Sequence, residues 1–102
     1  MEISKVVVFR AGNEEYGIPI EHVISIEKIE NINVIPNMPS YVKGIVKVRG
    51  DLIPVIDMNH IFYQKDTIID GNSKLIVVQS EEIESALIVK DAKQILDVQE
   101  EE

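Results

Sequence analysis

Apolar residues come in short runs of up to four along the chain, punctuated by Gly, Pro, Asn and Asp. Ile3–Arg10 holds Val6, Val7, Val8 and Phe9 without a break. So continuous a run predicts a strand covered on both faces. Ala11-Gly12-Asn13-Glu14 reads as a turn, since Gly and Asn tolerate positive φ. Glu15–Ile20 returns as the second arm of a hairpin. Pro19 has no N–H to give a ladder, so this strand lies at an edge or ends there. Glu21–Ile24 suits a single turn at a bend. Val23, Ser25 and Glu27 then alternate with Ile24, Ile26 and Lys28, a half-buried strand pattern.

Asn31–Asn37 is a loop, with Pro36 and Pro39 at its far end. Ser40 is placed to cap a short helix over Tyr41-Val42-Lys43, which Gly44 breaks. Ile45–Arg49 and Leu52–Met58 are strands joined by a tight turn at Gly50-Asp51. A helical turn over His60–Tyr63 follows. Gln64–Ser73 is mostly polar and reads as a boundary between two units. Lys74–Ser80 and Ser85–Val89 are strands around an acidic turn, and Ala92–Val98 is a last strand or extended segment. About eight short strands at roughly 8–12-residue spacing predict a barrel or a sandwich.

Composition agrees with that pattern. The chain has 18 Ile and 13 Val against 4 Leu, and β-branched side chains suit a pleated surface. Its 102 residues amount to one domain. The absence of cysteine excludes disulfide scaffolds, thiolate metal sites and Cys nucleophiles. No basic leader with a cleavage site opens the chain, and no apolar stretch nears the ~20 residues of a bilayer span. A cytoplasmic protein without direct membrane insertion is expected. A net charge of −8 argues against a nucleic-acid partner. Residues 79–102 alone carry a net −6, whereas residues 41–50 hold Lys43, Lys47 and Arg49 and no acid.

Candidate chemistry is sparse. Asp57 and His60 stand three apart at a strand end, where such residues point to opposite faces, so no metal site is expected. The serines have no nucleophile-elbow context and the five glycines form no phosphate loop. Asp51 and Asp57 flank one strand, an ordinary place for acids. No catalytic residue and no cofactor is expected. Two features remain, and both point to a binding module. Arg49 precedes a hairpin glycine, where its five donors suit a partner carboxylate. The apolar surplus suggests sheet faces that a partner covers.

The stretches VVFRAGNEEYGIPIEHV and IPNMPSYVKGIVKVRGDLIPVIDM, followed by KLIVVQS and ALIVKDAKQIL, resemble CheW-like domains. These are the adaptors that join bacterial chemoreceptors to their histidine kinase. The resemblance implies an all-β fold of two five-stranded barrels without an active site. It implies as partners the chemoreceptor cytoplasmic tip and the CheW-like regulatory domain of the kinase, in arrays at the inner face of the membrane. Carried over by position, Val23, Gly44 and Arg49 fall where the family makes or supports receptor contact. Ile20, Leu75 and Ala86 fall at positions associated with that region, and Pro54 and Asp57 carry over as structural residues.

The sequence departs from the family in three places. Ser25 stands where the family often has an acid to pair with the turn arginine; Glu27, two residues on, is the substitute partner. Lys47 stands where Asn is common. The family also continues past a segment like ILDV. The expectation is therefore one five-stranded barrel over residues 1–63 and an incomplete second β subdomain over 73–102. Leu75, Val77, Leu87 and Val89 are then exposed, and a homodimer, with strand exchange as one form of it, covers them; the alternative is a single smaller barrel. Functionally the expectation is a non-enzymatic adaptor. A shortened module that competes with the full-length adaptor is the alternative.

Overall fold

Strand pairing sorts the chain into two sheets. The computed structural model describes the backbone of residues 2–100 and the side chains of residues 5–92. In order come β1 (Glu2–Ala11), β2 (Glu14–Pro19), a 3-10 turn (Ile20–His22), β3 (Val23–Lys28), β4 (Val42–Val48), β5 (Asp51–Asp57), α1 (Met58–Tyr63), β6 (Lys74–Ser80), β7 (Ile83–Val89) and β8 (Asp91–Glu100). One sheet has the order β2-β1-β8, the other β3-β6-β7-β5-β4. All pairings are antiparallel except β5 with β7. Each sheet draws strands from both sides of the 64–73 segment.

The long apolar runs of β6 and β7 have a direct cause. Leu75, Val77, Ala86 and Ile88 belong to a first core with Val46, Ile53 and Val55. Ile76 and Val89 belong to a second core with Val7, Phe9 and Ala11, against which Val78 and Leu87 also pack. Successive residues of a strand point to opposite faces, so this hairpin is a wall between the two cores. Leu75, Val77 and Val89 are 1%, 2% and 0% exposed, and Leu87 is half-buried. The expected exposure of these residues is thus overturned, because β3, β5 and the three-stranded sheet cover them. In β1, where cover on both faces was expected, Val7 and Phe9 are buried but Val6 and Val8 only half so.

The segment Tyr41-Val42-Lys43 is not helical. Val42 N–H donates to the Pro39 carbonyl at 2.9 Å in a turn, and the chain enters β4 directly. Pro19 does end the edge strand β2, as its missing N–H requires. Pro54 lies within β5 without breaking it. It opposes Ile45, whose N–H and carbonyl both bond to Asn33, so the Ile45–Pro54 pair is not a hydrogen-bonded one. On the other side, pairing with β7 begins only at Val55.

The 64–73 segment is fastened by one buried acid. Asp57 is 2% exposed and ends β5 as the N-cap of α1. Its carboxylate accepts from Asn59 N–H at 3.0 Å, His60 N–H at 3.4 Å, Thr67 N–H at 2.8 Å and the Thr67 hydroxyl at 2.6 Å. Asp66 beside it accepts from Lys43 Nζ at 2.6 Å and His60 Nδ1 at 2.8 Å. The Lys43 and His60 bonds hold its carboxyl below the usual range. Aromatic rings fix the other face of α1. Tyr16 stacks on Phe62 at 4.5 Å and on Phe9 at 5.6 Å, and its hydroxyl lies 2.6 Å from that of Tyr63.

Replacing Asp57 by Asn removes an acceptor from this saturated carboxylate and should cost about 1–3 kcal/mol. Urea unfolding reads the loss, and proteolysis within residues 64–69 should quicken. The Tyr63 hydroxyl is pushed up to about 12, chiefly by its bond to Tyr16, with Glu14 adding. The folded state thus holds this proton more tightly than the unfolded chain. The stabilisation is complete below the ordinary value of 10.0 and lost as pH rises through about 12. Tyr16→Phe should return the Tyr63 titration towards 10.0 in an ultraviolet titration.

Candidate interaction site

The β4–β5 hairpin turns on Arg49 and Gly50, one residue earlier than the Gly50-Asp51 turn expected from sequence; Val48 and Asp51 pair across its base. Both turn residues have positive φ, 54° and 86°. This geometry follows strand twist and normally selects Asn-Gly. Gly50 adopts it freely. For an L-residue with a β-carbon the left-handed region costs roughly 1–2 kcal/mol, so Arg49 occupies its place at some expense to folding.

Arg49 is exposed between two cavities. One of about 320 Å³, at the hairpin end of the five-stranded sheet, is lined among others by Ile24, Asp51, Val77, Gln79 and Glu84. The other, about 350 Å³, is the cleft between β3 and β4, with Glu27, Lys28, Glu30 and Lys47 on its banks and Leu75 beneath. No ion pair joins Arg49 to any of these acids among the described residues. The acids Asp51 and Glu84 were not foreseen as neighbours. Asp51 is legible as the residue flanking the turn, whereas Glu84 arrives on β7 from 35 residues away. The basic stretch is divided. Lys43 is held by Asp66 and the Ser40 carbonyl at the far end of β4, leaving Lys47 and Arg49 at the cleft.

A register irregularity between Val23 and Ser25 corrects the expected alternation of β3. Val23 opposes Val78 and packs, with Ile20, against the second core. Ser25 opposes Val77 and Glu27 opposes Leu75, both on the first-core face. Val23 is therefore not on the face of Ser25 and Glu27. The Ser25 hydroxyl is buried and has no hydrogen-bond partner among the described residues, so it does not pair with Arg49. Glu27 shares the cleft with Arg49 but makes no ion pair with it.

Leu75 and Ala86, 1% and 0% exposed, lie inside the first core and shape the surface from beneath; neither offers atoms for contact. Gly44 is buried and adopts φ 145°, and a β-carbon there would overlap the Asn33 carbonyl oxygen. The Arg49 cavity adjoins a shallower apolar one over Ile18, His22, Val78 and Leu87, the two meeting at Gln79. Asp51 and Asp57 stand at opposite ends of β5, about 20 Å apart at strand rise, so they form no catalytic pair. Among the described residues no group of three His, Cys, Asp or Glu side chains is placed to hold a metal ion, and no helix is long and apolar enough to cross a membrane.

The CheW-like domain profile matches residues 5–102. The chain belongs to the CheW-like family. Chemotaxis protein CheW of Klebsiella aerogenes is 32% identical over 90 residues, covering 88% of this chain and 54% of that protein. Chemotaxis protein CheW of Bacillus subtilis is 31% identical over 99 residues, covering 97% and 64%. Among solved structures, the scaffolding protein TtCheW of Thermoanaerobacter tengcongensis superposes with a TM-score of 0.88 at 31% identity, over 98% of this chain and 65% of that one. The chain thus spans between half and two thirds of the length of these CheW proteins, and within that span the CheW fold is this pair of sheets with one short helix.

In this CheW-like domain Arg49→Asn should ease the strained turn, a conformation that Asn tolerates better, and raise stability by up to about 1 kcal/mol. A urea midpoint at or below that of the wild type would show that the turn tolerates arginine without cost.

Proposed function

We propose that this CheW-like domain is a non-enzymatic signalling adaptor that couples chemoreceptor cytoplasmic tips to a histidine kinase through the kinase's regulatory domain. One observation carries the reading: an arginine stands in a left-handed turn position that favours Asn, exposed between two cavities and without an ion-pair partner among the described residues. A residue kept against local preference at an exposed turn is a reason to look for a partner. The guanidinium fork matches a carboxylate or backbone carbonyls at the tip of a helical hairpin. Leu75 and Ala86 support the Arg49 side from within the first core, while Val23 and Ile20 offer half-buried apolar surface on the second-core side, apart from the cleft. Coupling then follows from linkage: an adaptor that contacts one signalling state of its partners better than the other biases the equilibrium between them. The place of action in this reading is the cytoplasm, at receptor arrays on the inner face of the membrane.

The test is binding of a purified chemoreceptor cytoplasmic fragment and of the kinase regulatory domain, by calorimetry. Wild type should bind both. Arg49→Ala should weaken receptor binding at least about tenfold, as loss of a central arginine anchor does, without lowering stability. Binding of neither partner sinks the adaptor reading. Kinase activation in a reconstituted array supports coupling, and inhibition supports a module that competes with a longer adaptor. Light scattering on the same samples reads the homodimer, for which the edge strands β2 and β8 are the pairing sites; a monomer at high concentration removes that part.

A further inference from the structure

We infer that the two hydrogen bonds between Asn33 and Ile45 form a clip that sets the width of the cleft beneath Arg49, and that Gly44 serves binding as a positioning residue by admitting that clip. The inference rests on the reading of Arg49 as a receptor-binding group.

β4 is an edge strand. One side is laddered to β5, while the other is met by the chain leaving β3, where Asn33 N–H donates to the Ile45 carbonyl and Ile45 N–H to the Asn33 carbonyl, each at 2.9 Å. Among the described residues this is the one isolated bridge. It ties the banks of the cleft together at one end. Glu27 and Glu30 lie on one bank, Lys47 and Arg49 on the other. Arg49 lies four positions beyond Ile45, about 13 Å of strand, and over that length no strand among the described residues pairs with β4 on the cleft side. The clip is therefore the nearest fixed point holding the arginine against β3.

Gly44 decides whether the clip forms. Its φ of 145° favours glycine, and a β-carbon would run into the Asn33 carbonyl and lie 3.1 Å from Ile32 Cγ2. The carbonyl is the closer obstacle; it is backbone, itself half of the clip, and cannot swing away as a side-chain tip can. A side chain at this position must push the Asn33 strand off β4. Gly44 is buried, so its effect on a partner passes through Asn33. If a variant closes the clip in about a tenth of its molecules, apparent affinity falls about tenfold, because only the competent fraction binds.

The experiment combines amide hydrogen exchange at Ile45 with affinity for a purified chemoreceptor cytoplasmic fragment. Gly44→Ala removes the clip from one side. Asn33→Pro removes the donor N–H from the other, and Asn33→Ala, which keeps the backbone groups, is the conservative control. Gly44→Ala and Asn33→Pro should both lose Ile45 protection and bind roughly tenfold more weakly, while Asn33→Ala matches wild type. Arg49→Ala should lose binding with Ile45 still protected. Ile88→Ala, destabilised in the core, should keep wild-type affinity where folded; an equal loss there would reduce Gly44 to a stability effect and overturn the inference. Weak binding by Gly44→Ala with Ile45 protected would make Gly44 a contact residue and overturn it, as would wild-type binding by Asn33→Pro with protection lost. A wild type that protects Ile45 yet binds no receptor fragment fails the adaptor reading, and the binding role of Gly44 falls with it.

Discussion

Leu75, Val77, Ala86 and Ile88 face one core while Ile76, Val78, Leu87 and Val89 face the other. β6 and β7 are thus a wall shared by two cores, and neither sheet has a complete interior without it. Truncating a buried aliphatic side chain to Ala commonly costs about 2–5 kcal/mol. In this hairpin the loss is felt on whichever side the residue faces. The wall also explains why β3, β5 and β4 gather around a segment far along the chain. They have one apolar face each to cover, and β6 and β7 offer the surface that covers it.

The candidate interaction site lies where the chain departs from that regular frame. One register irregularity in β3 turns Val23 away from the face of Ser25 and Glu27. Another, in β4, places Gly44 against Asn33. Irregularities of this kind re-aim side chains and increase local twist. The turn beyond β4 carries Arg49 in a conformation that its own β-carbon opposes. The loop after α1, by contrast, is well tied. Asp57 and Asp66 fasten it to β5 and β4, and the Tyr16–Phe62 stack fastens α1 itself to β2.

Much of the element list was legible because its signals are local. Pro19 marks an edge, Asn and Gly mark turns, and Asp57 sits where a strand ends and a capped helix starts. Locally, Ser40 and Gly44 imitate the cap and breaker of a short helix over residues 41–43, whereas β4 takes Val42 and Lys43 into its ladder with β5. Arg49 was legible as a site candidate from its glycine neighbour. Glu84 was not, since it reaches the same cavity only after β7 has paired with β6 and β5. The roles of Leu75 and Ala86 were likewise hidden: no local pattern distinguishes an apolar residue at a surface from one beneath it.

By itself the sequence determined that this chain is built of short β-strands rich in Ile and Val, where most of them turn, and that Arg49 lies beside a hairpin turn. These follow from backbone sterics and side-chain shape, which act over a few residues. Only the tertiary structure decided which strands share a sheet, that β5 runs parallel to β7, and which face of β3 carries Val23. Those choices rest on pairings between distant segments. A shift of one residue in register exchanges every buried side chain for an exposed one, and the burial gained by the whole assembly selects the register that no single strand specifies.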